Sequence, residues 1–455
     1  DPEITNNQFL TVSIVDGFGQ PTQVKKTHWS RTTPTSAATA KWLISGFDRK
    51  DAFGRTTESY LPVVQNYPSN INTLSTADVS YFSMGTFADE PLKMEYDERD
   101  RIRKITQPGE TAFQTISYTI SDGMFHKSSL NELSQRMTIY TDIRGRQRRT
   151  IQNNQIGTTF EYNAINELVK VIDHGGFITN YKYDMAGRKT RVEHPDRGIQ
   201  TFKYDKSGNV IEQSNSNLYP DGLKIKYSYN YNRLINVEYP LNPQNNVKYT
   251  YGTPGDALSG ENNAVGRLLY QEDATGVQVF GYGLMGEVTK NLRSVAVAGY
   301  QSFWFFTKWQ YDSWNRVQKI TYPDQEAVNY TYNRAGMLEK VHSDMIGSIA
   351  NFEVDIVEAI TYNDYGERTE VKYGNGTKTN YKYDARRRMD NLTHAFNGMQ
   401  VNNTYTYDVL SNITGIVTNS PQTSLPAVNN IGGPAMHSYQ YDNFNRLKYA
   451  IGSYI

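Results

Sequence analysis

The first residues to consider for metal or acid–base chemistry are the seven histidines, His28, His126, His174, His194, His342, His394 and His437. No two of them have the spacing of a metal-binding motif such as HExxH. His174 and His194 take the same late-strand or turn position in two successive stretches of similar sequence. The pattern favours polar turn residues, with a shared metal ion as the alternative.

The acidic pairs Asp48/Asp51 and Asp97/Asp100 could form carboxylate dyads or bind calcium. Both pairs fall where a tight turn needs aspartate, so turn residues are the favoured interpretation. The chain contains no cysteine, which excludes disulfides and a cysteine nucleophile. Because no nucleophile, base and acid occur in one pattern, the sequence predicts a protein that is not an enzyme and has no cofactor, metal or catalytic site.

Basic residues often follow a glycine or asparagine in a predicted turn, as at Arg55, Arg146, Arg188, Arg267, Arg316 and Arg446. They could form a basic stripe that binds an acidic partner. The chain carries 47 basic and 47 acidic residues, so its net charge is zero. This balance favours ion pairs across neighbouring strands. It also argues against nucleic-acid binding, which normally goes with a basic domain.

The most apolar stretch runs from Phe303 to Tyr311. In a strand its aromatic residues would divide between two faces. One face would carry Phe303, Phe305, Trp309 and Tyr311, and the other Trp304 and Phe306. The favoured interpretation is a strand covered on both faces, with contact to a partner or an unfolded polypeptide as the alternative.

Composition limits the fold and the environment. Tyrosine accounts for 35 of the 455 residues, and the abundance of tyrosine, threonine, valine and asparagine is typical of strands and turns. No run of about 18 apolar residues occurs, so the sequence predicts no transmembrane helix and no direct membrane insertion. Residues 1–30 lack the pattern of a signal peptide.

A short repeat covers most of the chain. Each copy has an aromatic residue, a variable residue, tyrosine, aspartate or asparagine, two variable residues and often glycine. The acidic or amide position recurs in three steps of 21, at Asp142, Asn163, Asp184 and Asp205. The step of 21 returns from Asp312 to Asn333 and from Asn363 to Asp384, and other steps are longer because of insertions such as 419–436. A weaker copy begins at Asp16. About fifteen copies can be counted, which predicts one continuous array rather than several unrelated domains.

Each copy predicts a β-hairpin in which the aspartate accepts a hydrogen bond from the amide two residues on. The glycine takes a positive φ, which asparagine also tolerates. Arg387 and Ser411 at this position predict turns that are strained or differently shaped. The residues assigned to the repeated turns are Tyr183, Asp184, Gly187, Arg188, Tyr204, Asp205, Gly208, Tyr311, Asp312, Tyr332, Asn333, Gly336, Tyr362, Asn363, Gly366, Tyr383, Asp384, Tyr407, Asp408, Tyr441 and Asp442.

The number of hairpins predicts the size of the sheet. About thirty strands spaced about 4.8 Å apart form a ribbon about 145 Å wide, which must twist and curl. If the ribbon closed into a ring, the ring would be about 45 Å across. Side chains reach only about 5 Å from each wall, so the centre would be empty.

The repeat resembles the YD repeat of the Rhs family, which includes bacterial polymorphic toxins, the BC component of Tc toxins and the extracellular shell of teneurins. The best matches are Tyr183-Asp184 with Gly187-Arg188, Tyr204-Asp205 with Gly208, and Tyr332-Asn333 with Gly336. The resemblance is close over about 95–455 and loose over 1–95. We therefore divide the chain into a divergent repeat-like segment, 1–95, and a YD-repeat array of period about 21, 96–455.

The resemblance implies an all-β fold, in which hairpins form a wide, curved antiparallel sheet that is part of a hollow Rhs-type shell. It implies a non-enzymatic shell segment of a secreted or bacterial cell-surface protein, which encapsulates or carries a C-terminal toxin or effector absent from this chain. The expected partners are the remainder of a longer polypeptide, with its plug, core and effector domains, or secretion machinery. The alternative is a cell-surface adhesion or recognition protein that binds a glycan or a protein.

Overall fold

The structure is a computed structural model. It describes residues 10–15, 17, 19, 21–30, 39–66, 90–256, 258, 260, 262–297, 299, 301–346, 351–420 and 434–454. The predicted repeat at Asp16 and most of the predicted insertion 419–436 lie outside these residues. The side chain of His28 is also outside the description.

The described residues form strands joined mainly by short turns, so the prediction of an all-β hairpin array is confirmed. One short 3₁₀ turn covers Pro243–Asn245. None of the described helical residues belongs to a helix that is both long enough and apolar enough to span a bilayer. In chain order the strands are β1 (Thr11–Val15), β2 (Pro21–Ser30), β3 (Thr39–Ser45), β4 (Asp48–Lys50), β5 (Thr56–Ser59), β6 (Val63–Asn66), β7 (Leu92–Tyr96), β8 (Ile102–Thr106), β9 (Phe113–Ser121), β10 (Met124–Leu130), β11 (Arg136–Thr141), β12 (Gln147–Gln152), β13 (Ile156–Tyr162), β14 (Leu168–Ile172), β15 (Ile178–Tyr183), β16 (Lys189–His194), β17 (Gly198–Tyr204), β18 (Val210–Ser214), β19 (Ile225–Asn230), β20 (Arg233–Glu238), β21 (Val247–Tyr251), β22 (Leu268–Asp273), β23 (Gly276–Tyr282), β24 (Val288–Val295), β25 (Phe303–Tyr311), β26 (Val317–Thr321), β27 (Ala327–Tyr332), β28 (Leu338–Ile346), β29 (Asn351–Tyr362), β30 (Arg368–Tyr373), β31 (Lys378–Tyr383), β32 (Met389–Phe396), β33 (Met399–Tyr407), β34 (Ile413–Asn419), β35 (Ala435–Tyr441) and β36 (Leu447–Tyr454).

The strands form two sheets. Strands β1, β2, β3 and β6 make a four-stranded sheet, whose core is Trp42, Ile44 and Phe47. The other thirty-two strands make one large antiparallel sheet in chain order. This sheet begins at β4, inside the predicted segment 1–95, and the boundary at residue 95 stays a prediction.

The register of the strands follows from the turns. In β15–β16, Lys182 pairs with Arg191, but Tyr183 pairs with Lys189, because a bulge shifts the register between Lys182 and Tyr183. The same shift recurs at the last two residues of β17, β25, β27, β31, β33 and β35. A turn that ends in a residue with positive φ produces this bulge and increases the local twist. The repeated turn therefore sets both the pairing and the curvature of the sheet.

The large sheet curls round and returns onto itself, and its described ladders run in order from β4 to β36. The edge that carries the turns at Asp51, Asp97, Asp142, Asp184, Asp384 and Asp442 is called here the repeat edge. The opposite edge, with the turns 107–110, 131–135 and 152–155, is the return edge. Contacts between the two edges, rather than a ladder, bring the sheet back onto itself.

Two of these contacts give the length of one revolution. Arg386, between β31 and β32 on the repeat edge, donates from Nη1 to Oε1 of Glu110, between β8 and β9 on the return edge, at 2.9 Å. Asn153, between β12 and β13, donates to the carbonyl of Asn443, between β35 and β36. In both pairs the partner lies 23 strands further along the chain. One revolution therefore has a circumference of about 110 Å and a diameter of about 35 Å. This diameter is smaller than that of a ring of thirty strands, but it is larger than two layers of side chains can fill.

The prediction that the aromatic stretch is covered on both faces is wrong for its first residues. Phe303, Trp304 and Phe305 are 52%, 54% and 44% exposed. Strand β25 pairs with β24 from Phe303 onward, but it pairs with β26 only from Lys308 onward. The first five residues of β25 therefore project beyond β26, and the rings lack a neighbouring strand on that side.

Candidate functional site

The candidate functional site is the repeated turn, and Asp184 shows how it is built. Oδ1 of Asp184 accepts hydrogen bonds from the amides of Ala186 at 2.9 Å and Arg188 at 3.0 Å. Oδ2 accepts from Nε of Arg188 at 2.7 Å. The main chain closes the same loop, because the amide of Gly187 donates to the carbonyl of Asp184 at 3.0 Å. Both carboxylate oxygens are thus engaged inside one turn.

The same arginine–aspartate pair recurs along the repeat edge. The predicted pairing of these arginines with nearby carboxylates is found, and the usual partner is the aspartate four residues earlier, across the turn of the same hairpin. Arg267 follows the same loop and donates to the carbonyl of Asn263. The pairs, 2.6–2.8 Å apart, are Arg55–Asp51, Arg101–Asp97, Arg146–Asp142, Arg188–Asp184, Arg316–Asp312, Arg388–Asp384 and Arg446–Asp442.

These contacts keep the aspartates ionised. The hydrogen bond from the Arg101 side chain lowers the pKa of Asp97 to about 2. The backbone amide of Arg188 lowers the pKa of Asp184, and the side-chain amide of Asn209 lowers the pKa of Asp205. A carboxylate that is ionised and satisfied within its own turn is poorly suited to proton transfer near neutral pH. Structural turn residues remain the interpretation that fits the acidic pairs.

The tyrosine before many of these aspartates and asparagines makes a contact that the sequence analysis missed. The hydroxyl of Tyr183 donates to the carbonyl of Leu168 at 2.7 Å, and that of Tyr332 donates to the carbonyl of Val317 at 2.8 Å. Each acceptor lies five residues after the aspartate or asparagine of the preceding hairpin. This contact is called here the backward tyrosine bond. It recurs before an aspartate or asparagine at Tyr96, Tyr204, Tyr311, Tyr362, Tyr383, Tyr407 and Tyr441. Tyr118 and Tyr282, which precede other residues, make the same kind of contact.

A signal for this bond was present in the sequence. The aromatic position three residues before the aspartate accepts phenylalanine, as at Phe160 and Phe202, whereas the position directly before it is tyrosine in both copies. Only the second position needs a hydroxyl. Burial raises the pKa of Tyr183, which keeps the phenol protonated as a donor.

The arginine also reaches the next hairpin. The guanidinium of Arg188 lies 4.8 Å from the ring centroid of Tyr204, and that of Arg316 lies 4.4 Å from the ring of Tyr332. Such cation–π contacts contribute about 0.5–1 kcal/mol each at exposed sites. Each arginine therefore joins the aspartate of its own turn to the tyrosine of the next.

The fourth position of the turn keeps one conformation whatever residue occupies it. Gly187 has a φ of 77° and Asn315 of 60°, while Arg387 and Ser411 have 62° and 70°. The backbone amide of Arg387 donates to the carbonyl of Asp384 at 2.9 Å, and that of Ser411 donates to the carbonyl of Asp408 at 3.0 Å, as the glycine amide does in other turns. Of the two predicted alternatives, a strained turn or a different shape, the structure shows the first, because the same loop forms with a positive φ at a residue that has a side chain.

The remaining predicted turn residues lie on the same edge. Asn333 and Asn363 take the aspartate position, and their Oδ1 atoms accept from the amides two and four residues on. Gly208, Gly336 and Gly366 have φ values of 93°, 81° and 79°. The edge thus carries a row of similar turns rather than one convergent pocket.

The histidines are dispersed. Nδ1 of His194 accepts from the amides of Asp196 and Arg197 at 3.1 and 3.3 Å, which fits a turn residue. His342 was not singled out from the others in the sequence, yet it lies 2.6 Å from Asp355 and 3.0 Å from Asp344. Lys340 contacts the same Asp355 at 2.9 Å. Within the described ranges no group of three or more histidine, aspartate or glutamate residues is arranged to hold a metal ion.

Solved structures with the same architecture are multi-component toxins. A crystal structure of TcdB2-TccC3 without its hypervariable C-terminal region matches with a TM-score of 0.75 and 16% identity, covering 97% of this chain and 23% of that one. The fold is that of a Tc toxin chain. TcdB2-TccC3 in another crystal structure matches with a TM-score of 0.71 at 16% identity, over 98% of this chain and 26% of that one.

A Tc holotoxin pore from Photorhabdus luminescens, with a substituted TccC3, matches with a TM-score of 0.71 at 16% identity, over 97% of this chain and 25% of that one. The chain thus spans about a quarter of the length of these Tc toxin chains. No protein-family model and no curated protein matches the sequence. The likeness to Tc toxins is therefore a likeness of fold.

Proposed function

We propose that this chain is a non-enzymatic wall segment of an Rhs-type shell, which encloses or carries a polypeptide effector. The observation that carries the proposal is one continuous sheet of thirty-two strands that comes back onto itself after about 23 strands. A wall of this kind surrounds a space too wide for its own side chains to fill. The Tc toxin fold supports the same role.

The chemistry of the repeat fits a wall better than an active site. In each turn the aspartate, arginine and tyrosine contact one another or the main chain. Side chains used in this way build the sheet and are not available to a substrate. The mechanism would be physical: the sheet would separate a tethered polypeptide from proteases and partners until release.

The Tc toxin fold also supports the expected partners and place of action. We propose that the wall works within a longer polypeptide or a multi-component complex, in a secreted or bacterial cell-surface protein. The division into residues 1–95 and 96–455 belongs to this proposal.

Protection of a tethered reporter tests this function. An unfolded reporter peptide would be fused after Ile455 in the full chain, and its cleavage by a protease would be compared with that of the free reporter. We expect cleavage slowed by about tenfold or more, because a protease acts only on the fraction that is open. A fused reporter that is cut as fast as the free one would contradict enclosure by this chain.

A surface recognition role is the second candidate. The exposed rings of Phe303, Trp304 and Phe305 favour it, because exposed aromatic clusters often mark contact sites. The triple variant F303S/W304S/F305S should lose binding to a cell surface or glycan array if recognition is the function. Unchanged binding together with full reporter protection would favour the wall.

A further inference from the structure

Two kinds of contact hold the ribbon in shape. Within a revolution, neighbouring strands form ladders such as β31–β32, which pairs residues from Lys378↔Ala395 to Tyr383↔Met389. Between revolutions, the described contacts join side chains of turns to residues about 300 positions away. These inter-revolution contacts are called here the seam. The seam consists of Lys41–Asp364, Glu110–Arg386, Gln135–Asn445 and Asn153–Asn443.

The seam follows one rule of geometry. On the later revolution each residue belongs to a repeated turn: Asp364 follows Asn363, Arg386 lies in the Asp384 turn, and Asn443 and Asn445 lie in the Asp442 turn. Three of their partners lie on the return edge of the earlier revolution, and Lys41 lies in β3 of the four-stranded sheet. The sequence separations are 323, 276, 310 and 290 residues. The repeat edge of one revolution therefore contacts the return edge of the preceding revolution.

The contact between Glu110 and Arg386 is the best placed of the two ion pairs. Its side chains are 23% and 16% exposed, against 27% and 28% for Lys41 and Asp364. The guanidinium of Arg386 also donates to the carbonyl of Val409 at 3.0 Å, which anchors it in its own revolution. Glu110 is held by its amide, which donates to the carbonyl of Gln107 at 3.2 Å. The ion pair thus joins two turns in which each charged residue is also held by a hydrogen bond to the main chain.

We propose that the wall opens along the seam, with the strand ladders intact, and that the Glu110–Arg386 pair is its latch. A strand ladder can separate only by losing a whole row of main-chain hydrogen bonds, whereas the seam separates by losing a few side-chain contacts. Ion pairs of this exposure also weaken as salt rises. The proposal rests on the shell function, since opening would release what the wall encloses.

A cross-link tests whether the two revolutions meet. The chain has no cysteine, so the variant N153C/N443C can form only one intramolecular disulfide, between residues 290 apart. We expect this bond to form under mild oxidation and to change the mobility of the chain on a denaturing gel. The control is N153C/K206C, whose two cysteines lie on opposite edges of the same revolution and should not form a disulfide. Failure of N153C/N443C to form the intramolecular bond would overturn the seam.

Charge reversal tests the latch in the same background. E110R and R386E should each slow formation of the N153C/N443C bond by about fivefold, and the double reversal E110R/R386E should restore the rate. Circular dichroism should show unchanged strand content in all three. If R386E loses strand content, R386Q takes its place in the comparison.

Equal cross-linking rates in all variants would overturn the latch. Neither measurement uses a tethered reporter. If the reporter is not protected but the cross-link forms, the shell function is contradicted and the seam is not. If the cross-link does not form, only the seam is contradicted.

Discussion

The hydroxyl of Tyr183 donates to the carbonyl of Leu168 at 2.7 Å, across to the preceding hairpin. Tyr181, two residues earlier on the same strand face, has no hydrogen bond from its hydroxyl among the described contacts, and its ring lies 4.8 Å from Nζ of Lys189. The two rings differ in one interaction although they share a strand and a face. This difference gives a physical reason for the frequent tyrosine directly before the aspartate or asparagine.

Removing the Tyr183 hydroxyl should therefore cost stability. Y183F leaves the carbonyl of Leu168 without its donor and should lower the local free energy of unfolding by about 1 kcal/mol. Hydrogen exchange of the amides in β14–β16 measures this change. The matched control Y181F should be nearly neutral. Equal effects of the two variants would show that the backward tyrosine bond adds nothing to stability.

Glycine at the fourth turn position should be favoured because it adopts a positive φ without strain. Gly208 has a φ of 93°, and a Cβ added there would meet nothing within 4 Å, so strain and not collision decides the outcome. G208V should destabilise the β17–β18 hairpin by about 1–3 kcal/mol. The neighbouring exposed position provides the control S207V, which should have little effect. A thermal unfolding curve of G208V that matches the wild type would contradict this explanation.

The opposite substitution should stabilise the Asp408 turn. Ser411 has a φ of 70°, which costs a residue with a side chain about 1 kcal/mol relative to glycine. S411G should raise local stability by up to about that amount, whereas S207G, at a residue with ordinary φ, should lower it slightly. Hydrogen exchange measures the change, in β33 and β34 for S411G and in β17 and β18 for S207G. A loss of stability in S411G would mean that the serine side chain contributes more than the strain costs.

Acid should weaken the turns in a defined pH range. Asp97 has an ordinary pKa of 3.8, and the Arg101 side chain lowers it to about 2. A lowered carboxyl pKa means that its stabilisation is complete above the ordinary value and is lost as pH falls through the folded one. The pKa of Asp51 is also lowered, first by its arginine, Arg55.

Melting temperatures measured from pH 7 to pH 2 should therefore fall most steeply between about pH 4 and pH 2. D97N should make that fall smaller while lowering stability at pH 7. The control is D196N, since Asp196 lies in a return-edge turn rather than a repeated one. A melting temperature that stays constant below pH 4 would contradict the role assigned to these aspartates.

The sequence was sufficient for features that depend on nearby residues. The all-β class followed from alternating residues, and the positive φ of Gly187 followed from its place after Asp184. The sequence favoured ion pairs for Arg188 but named no partner, because net charge says nothing about which carboxylate a loop brings closest. Arg188 and Asp184 nevertheless both belong to the turn that the repeat predicts.

Features that depend on distant residues could not be predicted. The meeting of Glu110 and Arg386 depends on the summed twist of 23 strands, and no local pattern encodes that sum. The exposure of Trp304 depends on where β26 ends relative to β25. These properties arise from the whole sheet, so a single hairpin carries no sign of them.

The backward tyrosine bond always points towards the N-terminus, from a later hairpin to the one before it. A ribosome makes the chain from its N-terminus, so the earlier hairpin of each pair emerges first. Each completed hairpin therefore presents a carbonyl, as at Lys189, and a guanidinium, as at Arg188, before the tyrosine that uses them, Tyr204, has emerged. The finished part of the ribbon is thus a template for the next hairpin, and the wall can grow one hairpin at a time while the chain is still being made.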